Sequence, residues 1–226
     1  MMEEDKMGSL LNIITKNHNK TKRDYLPRMI DGKVDCMKIA RQYGREFWDG
    51  DRKYGYGGYI YDGRWENIAK QLIQFYQLPK NSKILDIGCG KGFLLFELKK
   101  LLPEAKVTGF DISQYAIEQS KSEIRKDLFI YNAKYPFPFG DKSYDLVLSF
   151  TTLHNLHIYE LKSVLKEIER VGKNKFIIVE SYRNVQELFN LQCWALTCES
   201  FYKPQEWIWL FNEFGYFGDY EFIYFE

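Results

Sequence analysis

From Trp65 onward the apolar positions switch between two periods. Trp65, Ile68, Ala69, Leu72, Ile73 and Tyr76 recur at helical spacing. Asp62 is placed to cap that helix and Pro79 to stop it. Lys83–Ile87 then reads as a short buried strand, Phe93–Leu102 as a helix, and Lys106–Asp111 as a strand ending in a carboxylate. The alternation continues with a helix over Gln114–Arg125, strands over Leu128–Tyr131 and Tyr144–Ser149, a long helix over Ile158–Val171 and a fifth strand over Lys175–Glu180. Helical stretches at 184–196 and 204–213 precede a last strand, Tyr220–Phe225. Strands alternating with helices predict an α/β fold: a mostly parallel sheet with helices on both faces.

Upstream the pattern is weaker. Residues 33–43 predict a helix with Val34, Met37, Ile39 and Ala40 on one side. Residues 1–24 are polar apart from Leu10, Leu11, Ile13 and Ile14, and read as a frayed arm or a short helix. The glycine content of residues 47–63 argues for a loop. The chain therefore divides into an N-terminal helical arm with a Tyr/Gly-rich lid (1–64) and a larger domain (65–226).

Composition narrows the function. The 32 basic and 31 acidic side chains nearly cancel, which argues against a binder of phosphate backbones or anionic membrane. No apolar run approaches a membrane span, and the N-terminus lacks the pattern of a signal peptide. The four cysteines form no C-x-x-C pair and the chain has three histidines, so the expectation is reduced thiols in a cytoplasmic protein and no metal. Aromatic residues reach 17%, enough either to fill a core or to line a pocket.

The candidate chemistry lies at the strand ends. Asp86-Ile-Gly-Cys-Gly-Lys-Gly92 places glycines at 88, 90 and 92 between a strand and a helix, where a ligand can approach the backbone closely. Phe93 stands where the dinucleotide fingerprint has its last glycine, and no G-K-[ST] ending marks a phosphate loop. Asp111 ends the second strand, where a carboxylate can accept from two vicinal hydroxyls. Asn132-Ala133 ends the third, with an amide oxygen placed to accept from an adenine amino group. Taken singly, Asp111 could be a helix cap and Asn132 a turn residue.

With Thr108–Ser113, Asp141–Ser149 and Leu153-His-Asn-Leu156, these segments resemble the class I S-adenosylmethionine-dependent methyltransferases. The resemblance covers roughly 65–226 and implies a Rossmann-like sheet that binds S-adenosylmethionine without a metal. It further implies that Gly88 and Gly90 pass beneath the methionine moiety with Cys89 between them. Asp86 organises the loop, Asp111 holds the ribose, Ile112 packs on the adenine, and Asn132 and Ala133 contact its edge, with Ser149 at the fourth strand end. Many members carry Asp where this chain has Asn132. The family sheet usually ends in an antiparallel hairpin. After Gly215 there is room for about one strand, which predicts six strands or an edge completed by the N-terminal region or a partner subunit.

On the acceptor side, His154 follows the fourth strand and is either a general base or a histidine bonded to a loop carbonyl. Glu180 ends the fifth strand and is either a base or the partner of Arg183. In the lid, Tyr56, Tyr59 and Tyr61 are candidate acceptor walls and Arg64 a candidate partner for the cofactor carboxylate; the alternative is a surface loop. Tyr202 precedes the last helix and is a further candidate for the acceptor. Trp194, Phe201, Trp207, Trp209 and Phe211 recur at helical spacing and read as core.

The chain is also similar to small methyltransferases of bacterial surface-polysaccharide gene clusters. That similarity implies O-methylation of a sugar, nucleotide-sugar or phosphorylated precursor by a monomer or homodimer. The alternatives are an RNA methyltransferase or a non-catalytic S-adenosylmethionine-binding protein. Residues 1–80 carry 15 basic and 11 acidic side chains, little attraction for a nucleic acid, and the chain has no Pro-Pro for an amino-group nucleic-acid methylation motif.

Overall fold

The computed structural model describes residues 7–15 and 23–226. The expectation of a frayed arm therefore falls partly, over residues 1–6 and 16–22, outside the described residues.

Among the described residues, six strands form one sheet: β1 (Lys83–Ile87), β2 (Lys106–Asp111), β3 (Leu128–Ile130), β4 (Tyr144–Phe150), β5 (Gly172–Glu180) and β6 (Asp219–Ile223). Their order is β3-β2-β1-β4-β5-β6, and every neighbouring pair is parallel. Side chains alternate across the pleat. Ile84 joins a core with Leu72, Leu95, Leu98 and Leu191 on one face, while Leu85 and Ile87 face Leu161, Leu165, Ile168 and Trp207 on the other. The first face is covered by α4 (Trp65–Phe75), α5 (Phe93–Leu101) and α9 (Val185–Trp194), the second by α8 (Ile158–Val171) and α10 (Pro204–Phe214). Along α8 the buried residues Leu161, Val164, Leu165, Ile168 and Val171 recur at three- and four-residue spacing, one apolar stripe on an otherwise polar helix.

The sheet ends without a hairpin. Chain leaving β5 forms α9 and α10 before Gly215, at φ +72°, closes α10, so β6 returns parallel to β5. Its outer edge is covered by the N-terminal segment: the Leu11 amide donates to the Tyr220 carbonyl (2.8 Å) and the Tyr220 amide to Ser9 (3.1 Å). Glu221, buried, then accepts the amides of Ile13, Ile14 and Thr15 at 2.6–3.2 Å. Three backbone donors that leave the sheet ladder are satisfied by one carboxylate.

Three expectations change in detail. Gln114–Arg125 is two short helices, α6 (Gln114–Glu118) and α7 (Ser122–Arg125), because Ser120 turns its hydroxyl onto the Ile117 carbonyl (2.7 Å) and competes with the helix. Residues 47–63 are not wholly loop: α3 (Arg45–Asp49) and a 3-10 turn at Arg52–Tyr54 precede the glycines. In α2 (Lys33–Ala40) the buried residues are Cys36 and Ala40, while Val34 is exposed. A fourth short helix, α1 (Leu26–Ile30), packs against α9.

Candidate active site

A cavity of about 730 Å³ opens at the carboxyl ends of the strands, beneath α3 and the tyrosine-rich loop. Gly88, Asp111, Ile112, Asn132 and Ala133 line one side; His154, Glu180 and Trp194 line the other.

The glycine loop is held from beneath and from above. Gly88 and Cys89 donate their amides to the Phe110 carbonyl at 2.8 and 3.1 Å. The Gly90 amide donates to Asp111 Oδ2 and the Ser113 amide to Oδ1, each at 2.8 Å. A carboxylate has about four acceptor sites, so Asp111 keeps capacity on the cavity side. Burial pushes its carboxyl up, opposed by the amides of Ser113, Gly90 and Ile112. Gly88 and Gly90 sit at φ +72° and +55°. A Cβ on Gly88 would lie 2.1 Å from Thr152 Oγ1, and one on Gly90 would lie 2.7 Å from the Trp48 ring. Both glycines are therefore needed by the protein's own close packing as well as by any ligand.

Trp48 fixes the tyrosine-rich loop. Its Nε1 donates to Ser113 Oγ (2.9 Å) and its ring stacks on Tyr56 at 5.1 Å. Next to it, Asp49 accepts both Lys91 Nζ (2.7 Å to each oxygen) and Tyr115 Oη (2.9 Å). Lys91 Nζ also donates to the Tyr59 carbonyl (2.8 Å). The lysine of the glycine loop, itself buried, thus ties that loop to α3 and the tyrosine-rich loop. Tyr56 and Tyr59 line the cavity, and burial raises both phenols.

Several candidates lie elsewhere. Tyr61 packs against Phe93 and Phe96 and donates its hydroxyl to Glu97, which places it outside the cavity lining. Tyr202 packs edge-on against the buried Trp207 and is also outside the cavity lining. Arg64 lines the cavity, but its guanidinium is engaged by both oxygens of Asp62 at 2.6–2.9 Å. Asp62 accordingly clamps Arg64 and does not cap α4, whose N-cap residue is Arg64. Asp86 is buried, and burial together with Asp111 raises it to about 7. Cys89 faces away, its sulfur against Gly109, and Ser149 donates to the Ile87 carbonyl between strands (3.1 Å).

On the acceptor side, Thr151 leaves β4 at φ +54°, a strained position for a β-branched residue. This turn brings His154 back over the end of β5. His154 Nδ1 accepts the Glu180 amide at 3.3 Å, and Nε2 faces Glu180 Oε2 at 3.4 Å. An accepting Nδ1 puts the ring hydrogen on Nε2, directed at the carboxylate. Burial lowers His154 to about 3, so it is neutral, and raises Glu180 to about 7, opposed by Arg23 and Arg28. Glu180 does not pair with Arg183, which binds Glu187 and Glu226. His154 is thus committed to Glu180 through both ring nitrogens, and a carboxyl raised to about 7 by burial is suited to act as a base near neutrality.

Trp194 is not core. It ends α9, whose last carbonyls Gln192 and Cys193 accept Lys33 Nζ at 3.1 and 2.7 Å, and its ring faces the cavity beneath Arg28, Arg52 and Arg23. Trp194, Trp48 and these arginines escape sequence reading because α1 and the lid reach α9 only in the folded chain.

The family model for the Methyltransferase domain matches residues 78–215, more than half of the chain. An uncharacterized protein of Methanocaldococcus jannaschii is 30% identical over 129 residues, covering 57% of this chain and 48% of that protein. A malonyl-[acyl-carrier protein] O-methyltransferase of Legionella pneumophila is 34% identical over 111 residues, covering 47% and 38%. This chain spans less than half the length of either relative. Among solved structures, a Haloferax volcanii complex of a methyltransferase activator with a methyltransferase aligns with TM-score 0.55 at 19% identity, over 86% of this chain and 77% of that one. With the parallel sheet, the glycine loop and the carboxylate at the end of β2 all at one cavity, the chain belongs to the methyltransferase domain family, among the class I S-adenosylmethionine-dependent methyltransferases.

Proposed function

We propose that the protein transfers a methyl group from S-adenosylmethionine to an oxygen of a small polar metabolite, a sugar, nucleotide-sugar or phosphorylated precursor of a surface polysaccharide. One observation carries this reading: one cavity joins the nucleoside-type wall at Asp111 to Glu180, whose carboxyl burial raises to about 7. Its volume falls in the range of small-molecule sites.

The residues on the cofactor side fit the group by their chemistry. Asp111 retains lone pairs for two vicinal hydroxyls. Ile112, half-exposed in the cavity, and Ala133 offer an apolar surface for a base. Asn132 Oδ1 already accepts the Lys134 amide at 3.1 Å, which leaves one lone pair and the amide donors. S-adenosylmethionine, when bound, supplies an electrophilic methyl group on a sulfonium. This chain then has to align an acceptor oxygen, exclude water and remove the proton. Glu180 takes the hydroxyl proton, His154 Nε2–H holds its carboxylate, and Trp48, Tyr56 and Tyr59 close the cavity.

Incubation of the full chain with methyl-labelled cofactor and a panel of sugars, sugar phosphates, nucleotide-sugars, RNA and protein tests the reading. Label is expected in a small molecule. Label confined to RNA or protein, or cofactor binding with no transfer to any class, contradicts it.

A further inference from the structure

The Trp194 end of the cavity collects positive charge. The guanidinium carbons of Arg28, Arg52 and Arg23 lie 4.2, 4.8 and 5.3 Å from the centre of its ring. Cation–π attraction holds each one, but three like charges over one ring repel one another. Among the described residues, neither Arg28 nor Arg52 forms an ion pair; both are anchored through backbone carbonyls. Arg28 donates to Arg52 and Gly55 at 2.8 Å, and Arg52 to Tyr56. Arg28 Nε is buried and has no hydrogen-bond partner. Guanidinium groups held by carbonyls keep their full charge, since a carbonyl neutralises nothing. Among the cavity's acids Glu180 is the one coupled to Arg28, and a single carboxylate cannot balance both guanidinium groups.

We infer that the Trp194 end of the cavity is an oxyanion subsite, with Arg28 and Arg52 as its principal ligands and Arg23 beside them, and that it takes the phosphate group of a phosphorylated acceptor. A phosphate monoester brings close to two charges and three strong acceptor oxygens, which matches the two guanidinium groups of Arg28 and Arg52; one carboxylate would answer only one of them. That the phosphate belongs to a methyl acceptor rests on the proposed methyl transfer. The oxyanion site itself stands without it. The geometry sets the distance between the two ends of such an acceptor: its phosphate sits over Trp194 while its hydroxyl meets Glu180 across the same cavity.

Calorimetric titration of the full chain with inorganic phosphate, at constant ionic strength and with acetate as comparison, tests this. The wild type is expected to bind phosphate saturably and more tightly than acetate. Arg28→Met and Arg52→Met should each weaken phosphate binding at least ~10-fold, and Arg28→Lys by less than Arg28→Met. Lys38→Met, at an exposed ion pair outside the cavity lining, should leave it unchanged. Arg52 lies on the exposed lid, so its variant carries the test if Arg28→Met does not fold. Asp111→Asn should weaken S-adenosylmethionine binding and leave phosphate binding intact, which separates the two sites. Phosphate affinity equal in wild type and both arginine variants overturns the subsite, and tighter binding of acetate overturns the choice of phosphate. Phosphate binding through the arginines with no methyl transfer to any acceptor supports the subsite and removes only the methyltransferase reading.

Discussion

His154 holds Glu180 at two points: its Nδ1 accepts the Glu180 amide at 3.3 Å, and its Nε2 faces the Glu180 carboxylate at 3.4 Å. A neutral donor at that distance stabilises the charged carboxylate and fixes its direction. Replacing His154 by Phe removes the donor. The midpoint of the pH–rate profile should then move up, since the carboxylate loses a partner, and kcat should fall by about 10-fold, the worth of a hydrogen bond to a charged group. Cofactor affinity should be unchanged. An unmoved midpoint would show that His154 does not act through Glu180.

Asp111 accepts the Gly90 and Ser113 amides and retains acceptor capacity toward the cavity. Asp111→Asn keeps the shape and removes the charge. Calorimetry should show S-adenosylmethionine binding weakened by roughly 100-fold, as expected for two charge-assisted hydrogen bonds. Unchanged affinity would remove Asp111 from the cofactor site.

The Lys91–Asp49 pair joins the glycine loop to α3, with Lys91 buried and Asp49 mostly so. Breaking a buried pair leaves an uncompensated charge and costs about 3–5 kcal/mol. Asp49→Asn should therefore lower Tm and speed proteolysis within residues 45–60. Adding Lys91→Met should restore part of the loss, because the stranded charge goes too. Additive losses in the double variant would contradict the coupling.

Glu221 accepts three consecutive amides of the N-terminal segment. Glu221→Gln loses the charge and part of the acceptor capacity, with an expected destabilisation of about 1.5–3 kcal/mol. Hydrogen exchange should quicken first at Ile13, Ile14 and Thr15. Protection unchanged at those amides would show that water satisfies them equally well.

The sheet and its large helices were legible because each carries its own period: the stripe on Ile158–Val171 and the apolar run at Lys83–Ile87 are local signals. The glycine loop, Asp111 and Asn132 were legible for a related reason, since strand ends converge at one edge of any parallel sheet. The acceptor side was not. Tyr61 and Tyr56 are five residues apart in the same loop, yet one packs on α5 and the other faces the cavity; composition does not carry direction. Trp194 sits in a run of aromatic residues that otherwise includes the buried Trp207 and Phe211, and only the docking of α1 and the lid turns it into a cavity wall. The order of His154 and Glu180 as candidate bases depends on which imidazole nitrogen accepts, a fact of tertiary geometry.

The most direct measurement is the pH dependence of kcat/KM for Glu180→Gln beside the wild type, with S-adenosylmethionine affinity measured in parallel. Burial raises Glu180 to about 7. A base is active when deprotonated, so the wild-type rate should rise with pH and level off above about 7. The Gln variant should bind the cofactor normally, lose ~100-fold or more in rate, and show no such rise. Full activity in Glu180→Gln, or a variant that keeps the wild-type profile, would contradict Glu180 as the base and with it the role assigned to this cavity.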